Sequence, residues 1–476
     1  MGYAFNLLFS SGIGLMMNTK ASIKGEQIAM NETRLFRKEL FHIAVPITLQ
    51  CLLQSSFGVI DQVMTGQLGS GSIAGIGMGS KFISLFTVLI SAVSAAAGIM
   101  IAQFLGKNDE QEVGRSFFTN LMLGGMLAAV FTGVSVLFPE RLMRLYSNDM
   151  ETIGIAAGYL KIFSLSCIPA AIYSLLSTYL RCMGAAAVPL YTSIAAAVLN
   201  TCLNYIMIFG KLGCPAYGVK GAAWASVISQ VLGCLLLLVL FDRMYRKKSW
   251  SLPFGVIVRK RAWGQYCGII MPILICEFFW SLGENVYASL YGHIGTEAYA
   301  AMTLTNPIQG LMIGALSGLS QAAGILIGKS LGADRFEKAY QDSKKLMCYG
   351  LAGSLILSAI LIFFSRYYVM IFRVEESVRL TARKLLLVFA LISPVKVQNM
   401  ILGGGIIRSG GKTKYVMYID LIGTWIFGVP LGILSAFVWK MSIPWVYFFL
   451  SLEECVRLGI SLFLFRKRTW MQSLKK

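Results

Sequence analysis

Residues 94–109, SAAAGIMIAQFLGKND, and residues 320–335, SQAAGILIGKSLGADR, decide how this chain is built. Eight of the sixteen aligned positions are identical at an offset of 226. The same offset pairs Pro46 with Pro272, Gly66 with Gly292, Gly69 with Gly295 and Ala74 with Ala300. An offset of 227 pairs Arg181 with Arg408 and Gly184 with Gly411. Glycine is common, so any one pair is weak, but the ordered set marks an internal repeat.

Outward from these stretches, long apolar runs recur near 43–64, 75–101, 116–138, 153–178, 187–209 and 221–241, and again near 265–289, 300–327, 345–371, 385–406, 414–438 and 443–465. As a helix, each crosses roughly 30 Å of hydrocarbon at about 1.5 Å per residue. Apolar residues make up 56% of the 476 and charged residues 13%, against about 45–50% and about 25% in soluble chains. Continuous runs, rather than short alternating strands, exclude an outer-membrane barrel. The expected fold is an all-α integral membrane protein with twelve transmembrane helices in two pseudo-symmetric six-helix bundles. Six is even, so both copies enter from one side, their symmetry axis follows the membrane normal, and a central cleft separates them. The expected divisions are an N-terminal cytoplasmic extension (1–40), a first bundle (41–241), a basic linker (242–262), a second bundle (263–466) and a basic tail (467–476).

Charge tests this map. The formal charge is +20, yet the basic residues lie between and beside apolar runs, without the exposed basic face that nucleic-acid binding needs. With both termini inside, 28 of the 42 basic residues fall on the cytoplasmic side and ten outside; Lys81, Lys161, Lys396 and Arg457 fall within spans. That excess places both termini in the cytoplasm of a multi-pass plasma-membrane (inner-membrane) protein. Residues 1–30 carry an apolar patch at 5–17 with no basic residue before it and no cleavage site. They read either as a mobile extension or as sequence ahead of a natural start at Met30, and not as a signal peptide.

Ten cysteines show no CxxC pattern, and His42 and His293 are the two histidines. A structural metal site and bound cofactors are therefore not expected. The absence of a convincing acid–histidine pattern and of a Walker A loop argues against an enzyme and against direct ATP drive. A membrane-embedded transferase or hydrolase is the alternative from another class.

The chain closely resembles the multidrug and toxic compound extrusion family of cation-coupled antiporters. The resemblance rests on VPITLQCLLQSSFGVIDQVMTGQLG at 45–69, GIMIAQFLGKND at 98–109, YLRCMGAAAVPLYTSIAAAVLNTCLNYIMIFG at 179–210, YGVKGAAWASVISQ at 217–230, GHIGTEAYAAMTLTNPIQ at 292–309 and IIRSGGKTK at 406–414. It implies two bundles in a V-shaped cleft, alternating access, and export of amphiphilic, mostly cationic drugs or metabolites in exchange for sodium ions or protons. Small organic solutes and membrane lipids are the expected partners, with no nucleic acid and no obligate protein partner. Related flippases keep a lipid-linked or peptidyl metabolite as an alternative cargo.

Ionisable groups inside spans are the candidate coupling residues. Asp61, near the outward end of the first span, suits reversible binding of a proton or sodium ion because occupancy changes its charge; a carboxylate facing interface water is the plainer reading. The resemblance favours the ion site, since an acid here is a characteristic coupling residue of the family. Asn200 and Asn204 share a helix face and offer carbonyl oxygens to sodium or hydrogen bonds to an acid; helix-packing glue is equally open. The resemblance places an aspartate where Asn204 stands, so this chain lacks one candidate charge, while Ser226 matches a hydroxyl-bearing position. A sodium ion, if bound, is expected at Asp61, Asn200 and Asn204. In the seventh span Glu284 and Glu277 lie seven apart on one stripe, with Glu284 preferred; either alternatively pairs with Lys396. Asp420 is expected to cap a broken segment or meet cytoplasmic basic groups, and Glu453 to pair locally with Arg457. Trp280, Tyr287, Tyr291 and Gln54 are the substrate-cleft candidates, the aromatics through ring faces.

Overall fold

A computed structural model describes residues 2–248, 263–372 and 374–474, with side chains from residue 33 onward except Val59, Ser70, Lys248 and Thr296. Residues 249–262 of the expected linker, with Arg259, Lys260 and Arg261, lie outside the described residues, as do Arg373, Lys475 and Lys476. Before the linker run α1 (Gly2–Gly66), α2 (Ser70–Gly106), α3 (Glu110–Leu137), the short α4 (Pro139–Met143), α5 (Met150–Phe163), α6 (Cys167–Cys182), α7 (Ala187–Phe209) and α8 (Gly218–Lys248). After it come α9 (Trp263–Ile294), α10 (Thr296–Gly332), α11 (Phe336–Met370), α12 (Glu376–Asn399), α13 (Thr413–Leu421), α14 (Val429–Ile433), α15 (Ile443–Ser451) and α16 (Glu453–Lys467).

Eleven helical stretches among the described residues are long and apolar enough to cross a bilayer, and they cover the first eleven sequence-predicted spans. The fourth is α5 and α6 joined through a 3-10 turn, Ser164–Ser166, with Pro169 in the first turn of α6, where its missing N–H is tolerated. The twelfth predicted stretch holds α15 and α16, of nine and fifteen residues, which break at Leu452. Neither reaches the roughly 20 residues a crossing needs, and Glu453, Glu454 and Arg457 crowd the break.

Residue polarity is inverted relative to a protein in water. On α11, Ile356 is 60% exposed, Phe363 69% and Tyr367 60%, while Ser354, Ser358 and Ser365 are buried. Ser358 and Ser393 join their hydroxyls across α11 and α12 at 2.7 Å. Such a surface requires hydrocarbon around it, with the backbone satisfied inside helices.

The repeat is visible in the backbone. Gly69 and Gly295 cap the N-termini of α2 and α10 at φ 90 and 152. Asn108 and Asp334 turn out of the same two helices at φ 55 and 57, and Gly184 and Gly411 repeat a third turn at φ 78 and 73. The copies then diverge. The first keeps a regular α7, whereas the second passes through π-helical turns at Met400–Ile407, Ile422–Gly428 and Leu434–Val438. The first of these contains the glycines at 403–405; such wide turns are frequent at functional sites.

α1 and α2 pack on α10. At the closest crossing, a Cβ on Gly106 would lie 2.0 Å from the Lys329 carbonyl oxygen, and one on Gly332 would lie 1.9 Å from that of Gln103. Glycine at both positions lets the backbones touch. Position 106 maps to 332 and 103 to 329 at the repeat offset, so the two contacts mirror each other.

Candidate functional site

Two polar clusters lie within the spanning helices, one in each copy. The first joins α1, α7 and α8. The four-residue spacing stacks Asn200 and Asn204 on one face of α7. Asn204, 2% exposed, donates from Nδ2 to Asp61 Oδ1 at 2.8 Å and to Asn200 Oδ1 at 3.2 Å. Asn200 Nδ2 in turn reaches Ser226 Oγ at 3.4 Å and Ser229 Oγ at 3.3 Å. Rotating the Asn200 amide by half a turn gives a second setting. Its nitrogen then donates to the two Asp61 oxygens at 2.9 and 3.2 Å, and its oxygen accepts from Ser229. Asn204 Oδ1 is buried with no hydrogen-bond partner. The structure thus brings together four of the sequence-predicted residues, Asp61, Asn200, Asn204 and Ser226, and adds Ser229.

The second cluster joins α9, α12, α13, the π-helical turn Ile422–Gly428 and α16 around Arg457, which is 7% exposed. Arg457 stands 3.4 Å from Glu453, 3.9 Å from Glu454 and 3.8 Å from Asp420, and it donates to the Thr424 hydroxyl. Tyr287 donates to Glu453 Oε2 at 2.5 Å, and Asn399 Nδ2 donates to Glu454 Oε2 at 2.8 Å. Lys396 lies 3.9 Å from Glu454. Beside this network is a cavity of about 100 Å³ whose lining includes Glu284, Tyr287, Tyr291, Gln309, Lys396 and Glu454.

Several expected pairings are corrected. Lys396 pairs with Glu454, and neither Glu277 nor Glu284 is its partner. Glu277 instead meets Arg408 at 3.6 Å, so the seven-residue stripe splits between two environments. The Glu453–Arg457 pair forms but is one edge of a larger network. Asp420 neither caps a break nor meets cytoplasmic charge: it accepts from Cys276 Sγ at 2.8 Å and faces Arg457. Of the cleft candidates, Tyr287 and Tyr291 line the cavity, while Trp280 is 45% exposed and Gln54 is exposed on α1, both outside it. Tyr447 was missed; it packs edge-on against Tyr291 at 6.5 Å and donates to Gln309 at 3.2 Å. The sequence signal for this network was three ionisable residues within two turns of an apolar helix, Glu453, Glu454 and Arg457. Among the described residues, no group of three or more His, Cys, Asp and Glu side chains is placed to hold a metal ion.

A family model described as MatE matches residues 46–206 and 272–459, one segment in each copy of the repeat. The chain belongs to the MatE family. As a MatE protein it is a transmembrane transport protein and not an enzyme. Similar relatives include "Uncharacterized transporter YisQ" of Bacillus subtilis, 24% identical over 91% of this chain and 95% of its own length. "Probable multidrug resistance protein NorM" of Thermotoga maritima is 24% identical over 91% and 93%. Among solved structures, the Vibrio cholerae MATE transporter VcmN shares the fold with TM-score 0.83 at 18% identity, over 92% of this chain and 98% of that one. A MATE-family transporter described in an outward-facing conformation gives TM-score 0.84 at 16% identity, over 91% and 96%.

Proposed function

We propose that this MatE protein is a secondary antiporter that exports amphiphilic, cationic organic solutes in exchange for a proton or sodium ion bound at Asp61. The observation that carries this reading is the oxygen-rich site itself. The Asp61 carboxylate is met by the Asn204 and Asn200 amides, with the Ser226 hydroxyl behind them, and Asn204 Oδ1 is a further buried acceptor without a hydrogen-bond partner. A proton on Asp61 lets it donate to one of these oxygens; a sodium ion takes several of them as ligands. Either changes the charge of a group held between α1 and α7, so occupancy biases the packing of one against the other. Glu284, which lines the cavity beside the second cluster, is the candidate coupling residue of the second copy, and Tyr287 and Tyr291 are the surfaces for an organic cation.

In this reading α15 and α16 together make the twelfth crossing, the two six-helix bundles enclose a V-shaped cleft, and both termini face the cytoplasm of the plasma membrane. The multidrug-resistance names of relatives support a broad range of small organic cargoes. Coupling needs ion and solute to favour different states, and not merely to bind tightly.

The test is efflux of a fluorescent organic cation from sealed proteoliposomes with sodium and proton gradients imposed separately. Asp61→Asn is expected to lower gradient-driven efflux at least tenfold while facilitated exchange at equal ion concentrations persists. Undiminished uphill transport in that variant would remove Asp61 from coupling. Transport of lipid-linked substrates but of no organic cation would instead assign the cargo to the lipid class.

A further inference from the structure

The two copies are fastened at one end by a segment the repeat does not contain. Gln103, in the first copy, is fully buried. Its Nε2 donates to the Ser409 carbonyl at 2.6 Å and to the Gln472 carbonyl at 3.2 Å, and its Oε1 accepts from the Leu474 N–H at 2.7 Å. Every one of these partners belongs to the second copy or to the C-terminal tail. Lys107, one turn on, donates to the Leu474 carbonyl. The tail is held to the second copy by Trp470, which is fully buried and stacks on Phe465 with centroids 5.8 Å apart. The backbone at Trp470 lies so close to Gly410 that a Cβ there would stand 1.9 Å from its carbonyl oxygen. The repeat mate of Gln103 is Lys329, which reaches Glu39 of α1 at 4.0 Å and touches no tail.

We propose that the tail is a catch: anchored on the second copy by Trp470, it closes on Gln103 and Lys107 of the first and sets how often this end opens. The basic residues at this end, Lys107, Lys329, Arg408 and Lys412, mark it as the cytoplasmic one. Separating the copies here strips Gln103 of three buried hydrogen bonds and Lys107 of the Leu474 carbonyl. The contact therefore exists in one state and not in the other, which is what a state-biasing element requires. Gln103 is a positioning residue, since it acts on the population of states and touches neither ion nor cargo. The inference rests on the antiporter reading insofar as it takes the two copies to rock against each other.

The experiment measures the distance between spin labels at Gln111→Cys and Lys338→Cys, exposed positions at the starts of α3 and α11, by double electron–electron resonance in liposomes. The ten native cysteines are first replaced. The chain lacking residues 471–476 and the Gln103→Ala chain are each expected to raise the long-distance to short-distance ratio about tenfold. Their combination should give no more than either alone, because both release one catch. Lys107→Met serves as the milder variant where Gln103→Ala does not fold, with a smaller shift in the same direction. Two populations in the parent chain that neither variant shifts would overturn the catch and leave rocking intact. One invariant distance in the parent, whatever the ion or solute gradient, would overturn rocking and the catch with it.

Discussion

The polar clusters around Asp61 and around Arg457 sit in opposite copies of one duplication, and their chemistry has parted. At Asp61 a single carboxylate is met by amides, with serine hydroxyls one contact further out. Its charge is met by neutral amide dipoles and by no cation within ion-pair distance among the described residues. At Arg457 three carboxylates surround one guanidinium, and Lys396, Asn399 and Tyr287 hold two of them from other helices. Neutral ligands suit the proposed role of a group that gains and loses an ion in a transport cycle. Fixed, mutually compensating charges suit a joint between helices, here where α13 passes into its π-helical turns and α16 begins. Duplication supplied equivalent scaffolds, and the charges placed on them differ: one carboxylate among amides in the first copy, a network of ion pairs in the second.

Removing the guanidinium gives the largest expected effect. Arg457→Leu leaves Glu453, Glu454 and Asp420 buried without their shared cation, and losing one partner of a buried pair costs about 3–5 kcal/mol. The midpoint of denaturant unfolding in detergent should fall accordingly. Replacing Glu453 by Leu in the same chain should restore part of the loss, because one stranded charge goes with it. A midpoint unchanged in Arg457→Leu would mean the network carries no stability. Asp61→Asn should do the reverse: transport driven by a gradient falls at least tenfold, while the unfolding midpoint stays within the equivalent of about 1 kcal/mol, since an amide of the same shape fits among amides. If Asp61→Asn unfolds the protein as readily as Arg457→Leu does, the contrast between the clusters is gone. Lys396→Met ranks below both. Its ion pair with Glu454 is long, at 3.9 Å, and Glu454 keeps Asn399 and Arg457, so a loss of about 1 kcal/mol is expected in the same unfolding measurement.

The first cluster was legible in the sequence because its logic is local. Asn200 and Asn204 share a face by helical spacing, and Asp61 stood out as a charge inside an apolar run. The second was legible only in part. Lys396, Asp420 and Glu454 lie in different spans, and nothing in the sequence states which helix faces which; the expected Lys396–Glu284 and Lys396–Glu277 partners were plausible by depth alone. Span positions followed from hydropathy, and the break at Leu452 did not, since the ionisable residues beside it read as polar intrusions in a run, 443–465, that is apolar on average. The repeat was visible as identities at a constant offset, and it fixed turns as distant as Asn108 and Asp334. The Gln103 clasp was invisible, because an uncharged glutamine and a carboxy-terminal tail carry no periodic signal.

Ser226→Ala should give the smallest change, and its effect tests whether the hydroxyl is a sodium ligand. The Ser226 hydroxyl accepts from Asn200 at 3.4 Å, near the outer limit of a hydrogen bond, and Ser229 takes the same donor at 3.3 Å. Losing so weak a contact costs a few tenths of a kcal/mol, so efflux at saturating ion should stay within about twofold of the parent. A proton held by Asp61 needs only one acceptor beside it, and the half-maximal proton concentration should then be unmoved. Sodium fills a shell of about six oxygens, and losing one of few protein ligands should raise the half-maximal sodium concentration several-fold. Titrating efflux against sodium at fixed pH, and against pH at fixed sodium, reads both from one preparation. A rise in the sodium curve alone makes Ser226 a direct sodium ligand of the Asp61 site; flat curves in both leave Ser226 as packing.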